Sequence, residues 1–167
     1  MQDRLPSKTS AKRSQIARRG NSLIELVIVI LVMSIIAAAA MPKFADSLQL
    51  SRVNSAAKRI VADLATAQAR ARMISASQSV VFTVSSAKSQ YQLVGMPNPD
   101  RVSVSYTVAL SQDPYYASLR SVDLGGDATI IFNGYGSPDS AGIIVVQVGS
   151  LTKTISIDAS TGEATIL

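Results

Sequence analysis

Apolar residues follow four successive patterns along this chain. Residues 1–20 mix Arg, Lys, Ser, Thr, Gln and Pro and contain no apolar run. Leu23 to Met41 is then almost unbroken, interrupted by Glu25 and Ser34. From Leu50 the apolar positions thin to Val53, Ala57, Ile60, Leu64, Ala67, Ala71 and Ile74, each three or four residues after the last. From Ser79 onward the spacing falls to two. Val102, Val104, Tyr106, Val108 and Leu110 alternate there with Ser103, Ser105 and Thr107.

Each pattern predicts an element. The unbroken run is long enough, at about 28 Å as a helix, to cross the hydrocarbon layer of a bilayer. The three-and-four spacing is one stripe down an amphipathic helix. Residues 43–76 contain no Gly or Pro, so nothing in them breaks that helix. The heptad-like stripe fits a coiled coil, but its small Ala residues also suit close packing on a sheet. Lys58, Arg59, Asp63, Arg70 and Arg72 lie largely off the stripe, and Arg59 and Asp63 are spaced for a surface pair worth a few tenths of a kcal/mol. Ser75-Ala76-Ser77 marks the helix end.

Alternation and turn residues then predict short strands at Val80–Val84, Tyr91–Val94, Val102–Leu110, Leu119–Leu124, Thr129–Phe132, Ile143–Val148, Lys153–Asp158 and Ala164–Leu167. Gly95-Met-Pro-Asn-Pro-Asp, Gly125-Gly126, Asn133-Gly-Tyr-Gly and Ala159-Ser-Thr-Gly-Glu read as breaks and turns between them. The expected fold class is α+β. One long N-terminal helix, its first half transmembrane, packs with its second half on an antiparallel β domain. The expected divisions are 1–20, 21–42, 43–76 and 77–167.

Charge changes the picture at one end only. The net charge is +5 and the isoelectric point near 9.7, which invites a nucleic-acid reading. Arg4, Lys8, Lys12, Arg13, Arg18 and Arg19 against Asp3 account for all of it. The chain after Gly20 carries equal numbers of acids and bases. Beyond the helix, Lys88, Arg101, Arg120 and Lys153 are widely spaced, without the clustering that phosphate binding needs. The basic end places the N-terminus in the cytoplasm and the chain after the span outside it. There is no Cys, His or Trp, which excludes disulfides, thiol chemistry, a Ser-His-Asp triad and the common transition-metal sites.

Glu25 is the anomaly. A carboxylate inside a membrane helix costs about 2.5–3.5 kcal/mol on insertion scales, so it usually has a partner or a function. At the start of the run it also has the simpler option of reaching interfacial water. Ala38 to Ala40 offer an ordinary secretory cleavage site, although the apolar region is longer than such signals usually carry.

The stretch Arg18-Arg19-Gly20-Asn21-Ser22-Leu23-Ile24-Glu25, the apolar run after it and Pro42 resemble a type IV prepilin or a type II secretion pseudopilin. The run Leu64-Ala-Thr-Ala-Gln-Ala-Arg-Ala-Arg with Ser79-Val-Val-Phe-Thr-Val resembles the minor pseudopilin subfamily of the GspH/FimT type. So does Ile130-Ile-Phe-Asn-Gly-Tyr-Gly with the final strands. The resemblance implies cleavage between Gly20 and Asn21 by a prepilin peptidase and N-methylation of Asn21, where the family usually has Phe. It implies that Glu25 pairs with the N-terminal amine of a neighbouring subunit, and that Pro42 kinks the helix. The implied partners are the peptidase, other pilin or pseudopilin subunits, an inner-membrane assembly platform and membrane lipid. The implied location is the bacterial inner membrane, single-pass, with the β domain on the periplasmic side.

No enzyme, cofactor or metal site is expected. Asp123, Asp127 and Asp139 lie near loops but lack a calcium-loop spacing and read as turn residues. The glycine-rich stretches are too short for phosphate cradles. Tyr115 and Tyr116 either form an exposed contact site or pack over a sheet edge. The reading is a minor structural subunit of a pilus or pseudopilus supporting protein secretion. The alternatives are a DNA-binding minor pilin and an unprocessed single-pass anchored binding domain.

Overall fold

The computed structural model describes residues 22–85, 87–99 and 101–167. One helix, α1 (Leu23–Ile74, 52 residues), leads into eight strands. The chain divides into two compact units, Met1–Met41 and Pro42–Leu167.

Both ends of α1 have a local cause. Ser22 precedes it, and its carbonyl accepts the Leu26 N–H at 3.2 Å. Ser22-Leu23-Ile24-Glu25 has the Ser-x-x-Glu spacing of a capping box, and the first-turn acid suits the positive end of the helix dipole. At the other end Ser75 takes φ 50°. The Ala76 N–H reaches the Ala71 carbonyl and the Ser75 N–H the Arg72 carbonyl. That is a Schellman closure with Ser in the place usually taken by Gly. Arg72 adds a basic side chain to the last turn.

The strands are β1 (Gln78–Thr83), β2 (Gln90–Asn98), β3 (Arg101–Ala109), β4 (Ser118–Asp123), β5 (Thr129–Phe132), β6 (Gly142–Val148), β7 (Leu151–Ile157) and β8 (Ala164–Ile166). They form two antiparallel four-stranded sheets, ordered β3-β2-β1-β5 and β4-β6-β7-β8. The fold is α+β and pilin-like, with the helix packed against antiparallel sheets. All eight expected strands are present.

β2 departs from expectation. The expected strand stops at Val94, whereas β2 runs through Gly95, Met96 and Pro97. The pairing slips there: Leu93 faces Tyr106 on β3, but Pro97 faces Ser105. The extra residues form a bulge, opened by Gly95 at φ +71°. Beside this bulge Val104 is 50% exposed instead of joining the core face.

Val53, Ala56, Ala57, Ile60, Leu64, Ala67 and Ala71 of α1 are buried. They share one cluster with Val80, Leu93, Ile130 and Phe132 of the first sheet and Ile144, Val146, Ile155 and Ile157 of the second. The stripe is therefore spent inside the domain and is not a coiled-coil seam. It also overruns that domain: Leu50 and Ile74, its two ends, are exposed.

Candidate functional site

The first half of α1 has no counterpart in the core. Its apolar side chains, from Leu23 through Ile36, are exposed. The most apolar 18-residue window of α1 has a mean hydropathy of 2.8 with none of it buried in the chain, so α1 is long and apolar enough to cross a membrane. Leaving so many Leu, Ile and Val side chains in water is unfavourable by about 25 cal/mol per Å², so this surface calls for lipid or for apolar neighbours. Ser34, a polar residue within the run, is satisfied locally, its hydroxyl donating to the Ile30 carbonyl at 2.7 Å. Glu25 is exposed in the first turn, on the same surface as the apolar side chains.

Residues 17–41 match the family described as the prokaryotic N-terminal methylation motif. The chain carries a prepilin-type N-terminal motif. The match supports a type IV pilin-like protein, membrane-anchored through an apolar N-terminal helix. The pilin-motif family is structural rather than enzymatic, and the motif implies processing by prepilin peptidase and assembly with other pilin subunits. No curated protein and no solved structure matches the chain. Of the residues expected to act, Gly20 and Asn21 lie outside the described residues. Glu25 is in the first turn of α1. Pro42 lies within α1, and its side chain is outside the described residues.

In the second unit the sequence reading needs correcting. Asp63, expected on the surface with Arg59, is 5% exposed. Its carboxylate accepts the Tyr91 hydroxyl at 2.5 Å, the Tyr106 hydroxyl at 2.8 Å and the Arg59 Nε at 2.9 Å. Arg59 also donates to the Tyr106 hydroxyl. This quartet ties the flank of α1 to β2 and β3. Burial, then the Asp63 carboxylate, push both tyrosine hydroxyls above their ordinary range. Burial disfavours the Arg59 charge, but the Asp63 hydrogen bond and charge outweigh it and raise the Arg59 pKa.

The opposite flank is held by loops. Gln68 Nε2 donates to the Gly136 carbonyl at 2.7 Å and the Thr161 carbonyl at 2.5 Å. Arg72 Nε donates to the Tyr135 carbonyl at 3.2 Å. A Cβ at Gly134 would meet the Ser75 backbone carbon at 2.8 Å, and one at Gly136 would run into the Arg72 side chain. The Asn133–Gly136 turn is glycine-rich because it lies directly on the end of α1.

The acids considered for calcium are occupied otherwise. Asp123 accepts the Gly126 N–H, Asp127 the Thr129 N–H and Asp139 the Ile131 N–H. Among the described residues no group of three or more acidic side chains is placed to hold a metal ion. The two tyrosines divide: Tyr115 packs against the core, while Tyr116 is half exposed with the Arg52 guanidinium 4.7 Å from its ring centre.

Proposed function

We propose that the chain is a minor pilin or pseudopilin subunit of the GspH/FimT type. A prepilin peptidase cuts it between Gly20 and Asn21, the new N-terminus is methylated, and it assembles into a type IV pilus or a type II secretion pseudopilus supporting protein secretion. The observation that carries this reading is a coincidence of position. The methylation motif at 17–41 overlies the part of α1 that is apolar and exposed, with Glu25 at its start. Cleavage ahead of the apolar run leaves that run in the mature subunit, where it serves first as an inner-membrane anchor and then as filament core.

Glu25 acquires a role in the same reading. After cleavage Asn21 carries a positive amine. A neighbouring subunit's amine beside the Glu25 carboxylate offsets the cost of holding either charge in an apolar filament core, and Pro42 supplies a bend in the helix. The inner-membrane assembly platform and the other subunits are the working partners.

The deciding experiment is expression with and without a prepilin peptidase, followed by sequencing of the mature N-terminus. The expected result is Asn21 as the first residue, only with the peptidase. An intact Met1, or a cut after Ala40, sinks the proposal and leaves an unprocessed anchored domain. Glu25→Ala is expected to be cleaved normally and to be poorly incorporated into filaments. Wild-type incorporation of that variant would remove the charge-pairing account.

A further inference from the structure

Where β2 bulges, it meets a flank of α1. Gly95 and Met96 lie in the bulged stretch between Leu93 and Pro97. The Gly95 carbonyl accepts a hydrogen bond from Arg70 Nη2 at 3.3 Å. Met96 lines a groove of about 240 Å³ together with Thr66, Ala69, Arg70 and Met73 of α1. Those four stand at i, i+3, i+4 and i+7, on one face of the helix and off the buried stripe of Leu64, Ala67 and Ala71. The groove is smaller than the roughly 300–1,000 Å³ of a small-molecule pocket; it has room for a single large apolar side chain.

Arg70 is the one charged residue that lines it, and its donors are incompletely used. The bond to Gly95 is long for an N–H···O contact. Arg70 Nε is buried with no hydrogen-bond partner among the described residues. A guanidinium keeps its charge at any ordinary pH, and a buried donor without an acceptor is costly. Asp63, seven residues back on α1, does not supply one: its carboxylate is taken by Tyr91, Tyr106 and Arg59. Around the cation lie two methionines, Met73, 75% exposed, and Met96, packed on the margin of the core. Methionine is flexible and polarizable, and is common on surfaces that adapt to a partner.

We propose that this groove docks a protein segment that presents a carboxylate beside a large apolar side chain. The carboxylate pairs with the Arg70 guanidinium, and the apolar side chain lies between Met73 and Met96. Charge decides the occupant: the groove offers one cation, no acid and an apolar wall. A nucleic-acid backbone needs clustered cations, which this face lacks. Arg70 and Met73 are three residues apart on a helix, so the two groups of the partner are about 5–6 Å apart. The bulge is then part of the site, since it brings Met96 and the Gly95 carbonyl to α1. Neither cleavage after Gly20 nor filament assembly is needed for the contact, so its failure is distinguishable from failure of the pilin reading.

The test is a titration of the full chain in detergent micelles, labelled with ¹³C at the methionine methyls. The probe is the capped peptide acetyl-Ala-Glu-Ala-Ala-Leu-Ala-amide. The Met73 and Met96 signals are expected to shift and to saturate at about millimolar peptide, as suits so small a contact, while Met33 in the apolar run stays in place. Replacing the peptide's glutamate by glutamine should weaken binding about tenfold, and Arg70→Gln should weaken the parent peptide equally. The two changes together should cost no more than either alone, because they remove one interaction. Met73→Glu, at an exposed position that leaves the fold intact, puts a like charge beside the peptide carboxylate and should weaken binding about tenfold, read at Met96. Equal affinity for the glutamine peptide would overturn the proposal, as would losses that add, or wild-type binding by Met73→Glu. Parallel shifts at Met33 would overturn it too, by making the response one of peptide entering detergent.

Discussion

Asp63 is the residue on which a substitution should weigh most heavily outside the hydrophobic core. Asp63→Ala removes the acceptor of three hydrogen bonds at once. A hydrogen bond to a charged group contributes about 1.5–3 kcal/mol. The Arg59 bond belongs at or below the low end, because that side chain is 41% exposed and solvent screens it. Tyr106 retains Arg59 as a donor to its oxygen, whereas the Tyr91 hydroxyl, on a side chain 1% exposed, loses the carboxylate that accepts its proton. The total is about 3–5 kcal/mol, the usual cost of breaking a buried ionic cluster from one side, against a stability of about 5–15 kcal/mol for an ordinary domain. Urea unfolding of the full chain in detergent micelles, followed by near-ultraviolet circular dichroism of the tyrosines, measures it. Asp63→Asn keeps one acceptor and should cost about half as much. Tyr91→Phe should cost about 1–2 kcal/mol in the wild-type background and close to nothing beside Asp63→Ala, since the lost bond is the same one. A loss below about 1 kcal/mol for Asp63→Ala, or a Tyr91→Phe cost that is equal in both backgrounds, would mean that the carboxylate does not hold these side chains together.

Three further outcomes follow from the same structure. Tyr91 and Tyr106 have pKa values raised above the ordinary 10.0, so their contribution is fully present below that pH and is lost as pH rises above it; urea midpoints across this range should fall more steeply for wild type than for the Tyr91→Phe, Tyr106→Phe double variant. Asp158, its charge favoured by the Ser160 hydroxyl and then by the backbone N–H groups of Thr161 and Ser160, has a pKa lowered from 3.8; its contribution is present above that pH and is lost on further acidification, so Asp158→Asn should flatten the acid limb of the stability curve. Gly136→Ala, at φ +81° and against Arg72, should cost about 2–3 kcal/mol, while Gly126→Ala, at φ +101° with nothing within 4 Å, should cost about 1 kcal/mol. Equal losses for the two glycines in chemical unfolding would remove the claim that the loop is clamped on the helix.

The elements were legible in the sequence wherever the period was clean. The stripe through Val53, Ile60, Leu64 and Ala71 is buried as the spacing requires, and the strand alternation located all eight strands. Two things escaped it, for different physical reasons. Asp63 lies on the margin of the stripe, where a charged residue at helical spacing from Arg59 reads as a solvated pair; what buries it are two hydroxyls, from Tyr91 and Tyr106, that lie 28 and 43 residues away along the chain. Periodicity along one element carries no information about partners on another, although a tyrosine on an inward position of each of two neighbouring strands was the available signal for a buried polar partner.

Gly95 misled in the opposite direction. Glycine and proline together usually end a strand, but in this chain they bend one that continues, and the pairing partner decides which occurs. The partner strand is irregular at the same place. The extra residues lie on β2 between Leu93 and Pro97 and on β3 between Arg101 and Ser105, where the pairing returns to its first register, and Val104, within that stretch, is drawn out of the core face that alternation assigns to it. A side chain that follows the apolar period and is nonetheless half exposed marks a place where the pairing between two strands, and not the alternation within one, sets which way a residue faces.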